Sequence, residues 1–458
     1  MGNLSISIIV AVFINTGIIP GLFATLISTC PEKFEEDLSF NFKEPMDKCD
    51  NPQQEIVNLF GSGLQVVRDN FISSNILKSI NLENNKIVDI SPNAFNAVPN
   101  LSCLNIRWNN VTNIFENFLP SFNHTVLTKL NLAHTAFKNE QYNYYDHHPA
   151  VLRMKNAVPL LPNLTHLDIS DNNLVEIPQY FESSFPRLTH LYLSDNRLSS
   201  SSFHHIPATT QYLYLERNSG EIYKSDIPMN VYGLFLSQND FVCDSWRSNL
   251  YSNLRILSIQ RCDNFVHIFN CFDNGKLIDL DISSNRLSDI RAGVLKNPKS
   301  LQRFSLDRNS LDSILFIASF NSLTDLSIAY NNLINITSNL FTNMQQLKKL
   351  NLRGNNIALI DKDAFTNLKS LEKLDLAENR LTTLPVSWMN TLTKLRYLNL
   401  KSNLFSSINN MYINVYSHLN NLFLGDNNIT QIEMRSLKNL PSTVAVYLTS
   451  RNSQTCIT

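Results

Sequence analysis

The sequence predicts an α/β solenoid, in which one short structural unit is stacked many times along an axis. Three observations predict it: the pattern L-x-x-L-x-L-x-x-N-x-L recurs, most copies lie 21 to 26 residues apart, and asparagine occupies the same place in most of them. The copy "LEKLDLAENRLTTLP" at residues 371–385 follows "LKKLNLRGNNIALID", which begins 24 residues earlier. A chain of 458 residues is long for one globular core, but a solenoid grows by adding units.

Sixteen copies of the pattern can be aligned, and positions are counted from the first residue of each. The copies begin at Gln54, Leu77, Leu101, Leu127, Leu164, Leu188, Thr210, Val231, Leu254, Leu277, Leu301, Leu323, Leu347, Leu371, Leu395 and Leu419. We therefore assign about sixteen repeats to residues 54–442. Residues 443–458 are expected to form a degenerate last repeat with a minimal C-terminal cap.

Each repeat is expected to contribute one short strand. Alternating leucines at the fourth and sixth positions point to one side of the strand, while the third and fifth positions point to the other. One repeat cannot bury its own leucines, so the strands must stack as a parallel sheet. The ninth position is asparagine in thirteen repeats, and Ser62, Thr135 and Cys262 replace it in the others. A buried side-chain amide there can bond the backbone groups of the turn.

The N-terminus indicates export from the cell. An apolar run from Leu4 to Ile14 is followed by small residues, which predicts a secretory signal peptide over residues 1–24. No later segment is long and apolar enough to span a membrane. Sequons for N-glycosylation agree with secretion. They lie at Asn100, Asn110, Asn123, Asn163, Asn335 and Asn428.

These features together resemble the extracellular leucine-rich repeat proteins, over about residues 54–450. The 24-residue repeats are similar to those of Toll-type receptor ectodomains, and the short repeats that begin with "IP" at Pro207 and Pro228 are similar to those of secreted insect leucine-rich immune proteins. The resemblance implies a right-handed horseshoe with a parallel sheet on its concave face. Loops and 3₁₀ turns would form the convex face.

Seven cysteines are expected to be partly paired in a secreted chain. Residues 25–53 are interpreted as an N-terminal cap closed by a disulfide between Cys30 and Cys49. Cys243 and Cys271 fall on outer turns of adjacent repeats and form a second candidate pair. Cys262 is expected to be a buried thiol. Cys103 or Cys456 remains as the odd cysteine, and a link to another chain stays open.

An insert at residues 138–163 interrupts the repeat spacing. Loops that leave a repeat scaffold often carry binding sites. His147 and His148 raise the alternative of a metal site, but no spaced ligand set accompanies them. We therefore expect a solvated, tyrosine-rich loop, and neither a metal nor a cofactor.

The sequence contains no recognisable catalytic motif, so a binding surface is expected and an enzyme is not. Aromatic residues at the third and fifth positions of adjacent repeats are predicted to form an exposed patch on the concave face. The alternative is that these rings only stabilise cross-strand packing. The patch consists of His166, His190, Tyr192, Tyr212, Tyr214 and Phe235, with Tyr232 at its edge, Asp171 and Asp195 on one side, and Arg217 and Arg261 on the other.

The predicted function is that of a secreted recognition protein with a macromolecular partner. An extracellular protein ligand or co-receptor is expected, in innate immunity or extracellular signalling, with the chain acting as a soluble factor or decoy. The net charge of -1 gives no reason to expect nucleic acid. A disulfide-linked or non-covalent oligomer is left open. The alternatives are a structural protein of matrix or cell adhesion and, less favoured, an enzyme inhibitor.

Overall fold

The computed structural model describes two compact units of repeats. The described residues are 25–26, 38, 42–43, 46, 49, 55–112, 114–136, 150, 152–154, 157–218, 220–223, 226–242, 252–262, 274–290, 298–442 and 444–448. The N-terminal unit begins at Phe42 and ends at Lys276. The C-terminal unit begins at Leu277 and also includes the strand Thr25–Leu26.

The N-terminal unit contains a sheet of parallel strands, each three residues long. Every strand occupies the third to fifth positions of a repeat and pairs with the strand of the adjacent repeat, as the pattern predicts. The strands are Ile56–Asn58, Ser79–Asn81, Cys103–Asn105, Lys129–Asn131, His166–Asp168, His190–Tyr192, Tyr212–Tyr214, Gly233–Phe235 and Ile256–Ser258.

The C-terminal unit is built in the same way and includes the degenerate seventeenth repeat. Thr25–Leu26 pairs in parallel with Ala445–Val446 and so covers the last strand of the sheet. The strands are Asp279–Asp281, Arg303–Ser305, Asp325–Ser327, Lys349–Asn351, Lys373–Asp375, Tyr397–Asn399, Asn421–Phe423 and Ala445–Tyr447.

The opposite side of each repeat consists mostly of turns and short helices. Short parallel pairs join Val66–Val67 to Asp89–Ile90, Ile222–Tyr223 to Phe241–Val242, and Asn335–Ile336 to Leu359–Ile360. The α-helices are Phe181–Ser184 and Met434–Leu437, with a π-helix at Ile114–Phe118. The 3₁₀ helices are Leu119–Ser121, Ser200–His205, Asn274–Lys276, Pro298–Ser300, Leu315–Ser319 and Ile408–Met411. The predicted parallel-strand solenoid with few helices is confirmed.

The core lies between the strands and these outer turns. Leucines at the fourth and sixth positions, such as Leu374 and Leu376, are fully buried. Each contributes roughly 1.5–3 kcal/mol relative to an exposed side chain. Phenylalanines fill the outer side, where the rings of Phe341 and Phe365 stack with centroids 6.0 Å apart.

The ninth-position asparagines connect adjacent repeats by hydrogen bonds. Asn196 is typical: its Nδ2 donates to the carbonyl oxygen of Leu193 at 2.9 Å and to that of Ile169, in the preceding repeat, at 3.1 Å. Its Oδ1 accepts from the N–H of Leu174 at 3.0 Å. Thr135 and Cys262 substitute at this position with longer contacts to the same class of carbonyl oxygen, and Cys262 is a buried thiol as predicted.

The eighth position adopts a left-handed backbone in all sixteen repeats. The φ angles there range from 51° at His134 to 67° at Gly354, and Trp108, Arg217 and Tyr330 share this conformation. For an L-residue other than glycine this conformation costs roughly 1–2 kcal/mol. It persists because the N–H of that residue bonds to the next repeat, as from Trp108 to the carbonyl oxygen of Ala133 at 3.1 Å.

The predicted disulfide between Cys30 and Cys49 is wrong. Cys49 is bonded to Cys103, with Cα atoms 5.5 Å apart, and one thiol forms only one such bond. Cys103 therefore is not the odd cysteine. It occupies a third position and points away from the leucine core, so its sulfur is reachable from outside the repeat. Cys30, Cys243, Cys271 and Cys456 lie outside the described residues.

Residues of the predicted N-terminal cap also reach the seventh repeat. Lys43 forms an ion pair with Glu216, a buried carboxylate that accepts a hydrogen bond from Ser194 Oγ at 2.6 Å. Phe42 and Met46 are buried as well. These residues therefore contact the sheet of the N-terminal unit well beyond its first strand. Most of the insert, including His147 and His148, lies outside the described residues.

Candidate functional site

The third positions of three adjacent repeats in the N-terminal unit, and the second position of the next repeat, bring together a row of rings. His166 stacks on His190 with centroids 4.0 Å apart, and His190 stacks on Tyr212 at 4.4 Å. Tyr232 continues the row at 5.6 Å with a tilted ring. All four residues are half-buried, so part of each remains accessible. We call these four residues the ring ladder.

Threonines at the second position orient the two histidines. Thr165 Oγ1 and Thr189 Oγ1 each lie 2.9 Å from the Nδ1 of the following histidine. Each hydroxyl also donates to a carbonyl oxygen of the preceding repeat, at 3.0 and 3.1 Å. A hydroxyl has one proton, so Nδ1–H is the donor toward Oγ1. In a neutral ring this tautomer makes Nε2 the acceptor.

Gly233 makes room for the ladder at the third position of the next repeat. A Cβ placed there would lie 2.7 Å from Cδ1 and 3.2 Å from Cε1 of the Tyr212 ring. Tyr232, one residue earlier, supplies the ring that the third position does not. A glycine is therefore required by the close approach of Tyr212.

Gly233→Ala should disturb the ladder. The added methyl must displace the Tyr212 ring from its stack on His190, at a cost of about 1–3 kcal/mol in the free energy of unfolding. Urea unfolding of the parent, Gly233→Ala, Tyr212→Ala and the double variant measures this. In the Tyr212→Ala background the glycine substitution should have little effect, because the clash is gone. Equal losses in both backgrounds would contradict this account.

The fifth-position rings are buried, and the prediction that they face solvent is wrong. Tyr192, Tyr214 and Phe235 are only 8%, 3% and 0% exposed. Their rings stack face to face, with centroids 4.3 and 4.4 Å apart. They point away from the leucine core, yet close packing removes them from water. The accessible part of the predicted patch is therefore the ring ladder.

A second buried stack, which was not predicted, occupies two fifth positions of the C-terminal unit, with a third-position ring beside them. Phe423 stacks on Tyr447 with centroids 4.5 Å apart and contacts Tyr397 at 5.1 Å. The aromatic residues at the fifth positions of these adjacent repeats, Phe423 and Tyr447, were the feature of the sequence that indicated this stack. Because both stacks are buried, rings at the fifth position serve packing.

Charged residues at the eighth position form a row beside the ladder. Asp171 precedes Asp195 and Arg217 in this row, as the repeat order requires. Arg217 donates two hydrogen bonds to Asp195, one of them 2.6 Å long, and this bond raises the pKa of the guanidinium. Asp171 Oδ2 lies 2.5 Å from His134 Nδ1. At the adjacent fifth position, burial raises the pKa of Asp168, although hydrogen bonds from Ser170 oppose the shift.

Three further features of the described residues concern metal-ligand clusters, glycosylation sequons and long apolar helices. Within them, no cluster of three or more histidine, cysteine or acidic side chains is placed to hold a metal ion. The six sequons beyond the predicted signal peptide lie among the described residues, and their asparagines are exposed or half-buried. None of the helices described here is both long and apolar enough to cross a bilayer.

Comparison with known families agrees with the repeat geometry. The leucine rich repeat family matches residues 55–111, 162–219, 321–381 and 369–413. The chain contains leucine-rich repeats of this family in these segments. The matched segments fall within the predicted repeat region, and each contains the strand and ninth-position asparagine of successive repeats.

Two curated relatives share part of the leucine-rich repeat region. Osteomodulin from Bos taurus is 25% identical over 265 residues, which cover 57% of this chain and 53% of that protein. Toll-like receptor 3 from Boselaphus tragocamelus is 24% identical over 309 residues, covering 61% of this chain and 32% of that receptor. The chain thus spans about half of the first relative and a third of the second.

A solved structure shows the same fold. The chain is similar to a structure described as the Toll–Spatzle complex from Drosophila, with a TM-score of 0.55 and 18% identity. The match covers 80% of this chain and 53% of that one. The leucine-rich repeat protein therefore resembles Toll-type ectodomains in sequence pattern and in fold.

Proposed function

We propose that this leucine-rich repeat protein is a secreted, glycosylated recognition protein that binds an extracellular protein through the ring ladder. The observation that carries the proposal is the half-buried row of four rings in adjacent repeats. Rings held by stacking and by the two threonines lose little entropy on binding and offer much contact area. The neighbouring acidic and basic residues supply polar contacts at the rim.

Innate immunity or extracellular signalling is the setting that the relatives favour. Toll-like receptor 3 is among them, and the Toll structure is a complex with Spatzle. We propose that the chain acts there as a soluble factor or decoy with a protein ligand or co-receptor. The near-neutral net charge of -1 argues against nucleic acid as the main partner.

The test combines His190→Ala with Tyr212→Ala. Partners are captured from the native extracellular fluid with the parent under non-reducing conditions, identified, purified, and titrated against parent and variant. We expect at least tenfold weaker binding by the variant, since buried aromatic anchors are typically worth more than about 1.4 kcal/mol.

Tyr416→Ala is the matched control, because Tyr416 is 86% exposed and lies in the C-terminal unit. This control should bind like the parent, and all variants must unfold at comparable temperatures. Equal affinity of the ladder variant and the parent would show that the ladder only packs the sheet.

A structural role in matrix or cell adhesion is the second candidate. The similarity to osteomodulin favours it. It predicts weak, multivalent binding to matrix that tolerates the ladder substitutions. One tight stoichiometric complex that those substitutions abolish would exclude it.

A further inference from the structure

Trp108 is an unusual residue for its place in the fold. It is half exposed, at 50%, and its backbone has a φ of 59°. A bulky residue in this conformation is uncommon and carries a cost that glycine would avoid. The indole is held by Arg107, whose Cζ is 5.4 Å from the ring centroid, and by the His134 ring at 5.7 Å. Half of the indole surface nevertheless remains in solvent.

The residues after Trp108 form a sequon in a fixed backbone. Asn110 donates its N–H to the carbonyl oxygen of Ile87 at 3.1 Å, and Thr112 donates to that of Val88 at 3.1 Å. The intervening residues Asn109 and Val111 are buried in the repeat. Trp108, Asn110 and Thr112 are the members of this stretch that reach solvent.

We infer that Trp108 is a platform for an N-linked glycan on Asn110, with the first N-acetylglucosamine packed against the indole. The Cα atoms of residues two apart lie at most about 7 Å from each other, a span that one sugar ring attached to the amide can bridge. The apolar face of the sugar would cover indole surface that is otherwise wet. Among the six sequons only this one has an aromatic residue two positions before the asparagine.

The modification itself uses the lipid-linked oligosaccharide pyrophosphate of the secretory pathway as donor. Asn110 Nδ2 forms a bond to C1 of the sugar and releases a proton, and the bond from C1 to the pyrophosphate breaks, so that the lipid pyrophosphate leaves. The amide keeps one N–H. The glycan then stabilises the left-handed turn because its contact with Trp108 exists only in the folded chain.

The experiment is a double-substitution cycle on the full chain secreted from eukaryotic cells. Parent, Trp108→Ala, Asn110→Gln and the double variant are compared by glycopeptide mass spectrometry and by thermal unfolding. Asn110 should be occupied in the parent. Asn110→Gln should lower Tm by about 2–4 °C in the parent and by less than half of that in the Trp108→Ala background. Trp108→Phe should restore most of the difference.

Asn428→Gln is the matched control, since Asp426 occupies the corresponding place before that sequon in an equally left-handed turn. Its effect should be the same with and without Trp108. A second test needs no variant: trimming the glycans to one N-acetylglucosamine should preserve the stabilisation, and complete removal should abolish it. An unmodified Asn110 peptide overturns the inference, as does an equal loss in both Trp108 backgrounds or an unchanged Tm on complete removal.

Discussion

Asn379→Leu should lower the free energy of unfolding by about 3–5 kcal/mol. The side chain is buried, and its Nδ2 donates to the carbonyl oxygens of Leu352 and Leu376 at 3.0 Å each. Its Oδ1 accepts from the N–H of Ile357 at 3.0 Å. Leucine matches the size of the side chain but leaves the N–H of Ile357 buried without an acceptor, at about 1–3 kcal/mol. Each carbonyl oxygen loses one of two amide donors, at about 0.5–1.5 kcal/mol, and keeps the bond from Asn355 or Asn403.

Urea unfolding followed by circular dichroism measures the loss. Asn332→Leu is the matched control, because Asn332 is on the surface and its Nδ2 makes one contact of 3.3 Å. That substitution should change stability by less than about 0.5 kcal/mol. Similar losses for both variants would mean that the ninth-position amide is not what connects adjacent repeats.

Cys103→Ser should lower the free energy of unfolding by about 3–4 kcal/mol, which is the second large effect. The disulfide to Cys49 closes a loop with a sequence separation of 54 residues, and constraining a loop of this size removes much entropy from the unfolded chain. The lost bond also releases the N-terminal residues that approach the sheet around Lys43. Thermal unfolding of the secreted variant measures the effect.

The same experiment discriminates between the two pairings of Cys49. Proteolysis of the parent without reduction should yield a cross-linked peptide pair that contains Cys49 and Cys103. Cys30→Ser is the control and should leave that pair intact. Loss of stability with Cys30→Ser, and none with Cys103→Ser, would restore the pairing expected from the sequence.

The repeat architecture could be predicted because its signals are local and are repeated many times. Leu374 and Leu376 point inward from one short strand, and Asn379 follows at a fixed distance, so a single repeat already specifies its strand and its turn. Each further copy confirms the same assignment. The strand at residues 445–447 shows that even the degenerate seventeenth copy carried enough of the pattern.

The candidate site was predicted only in part, because strand alternation determines direction and not exposure. Tyr214 and Tyr212 both point away from the leucine core, yet only Tyr212 keeps accessible surface. Exposure depends on neighbours in space, which the pattern does not specify. The partner of Cys49 was missed for the same reason, since Cys49 lies outside the repeats and the repeat pattern does not place it against Cys103.

The left-handed residue at the eighth position of each repeat places a side chain on the surface without using it to stabilise the fold. In most repeats its backbone N–H bonds to the next repeat, and its side chain lies outside the leucine core. Tryptophan, tyrosine, arginine, glutamate and serine all occupy the position in this one chain. A library randomised at these sites alone should retain the scaffold while changing one whole edge of the surface. The eighth-position turns are thus a set of surface positions at which substitutions can create new binding specificities.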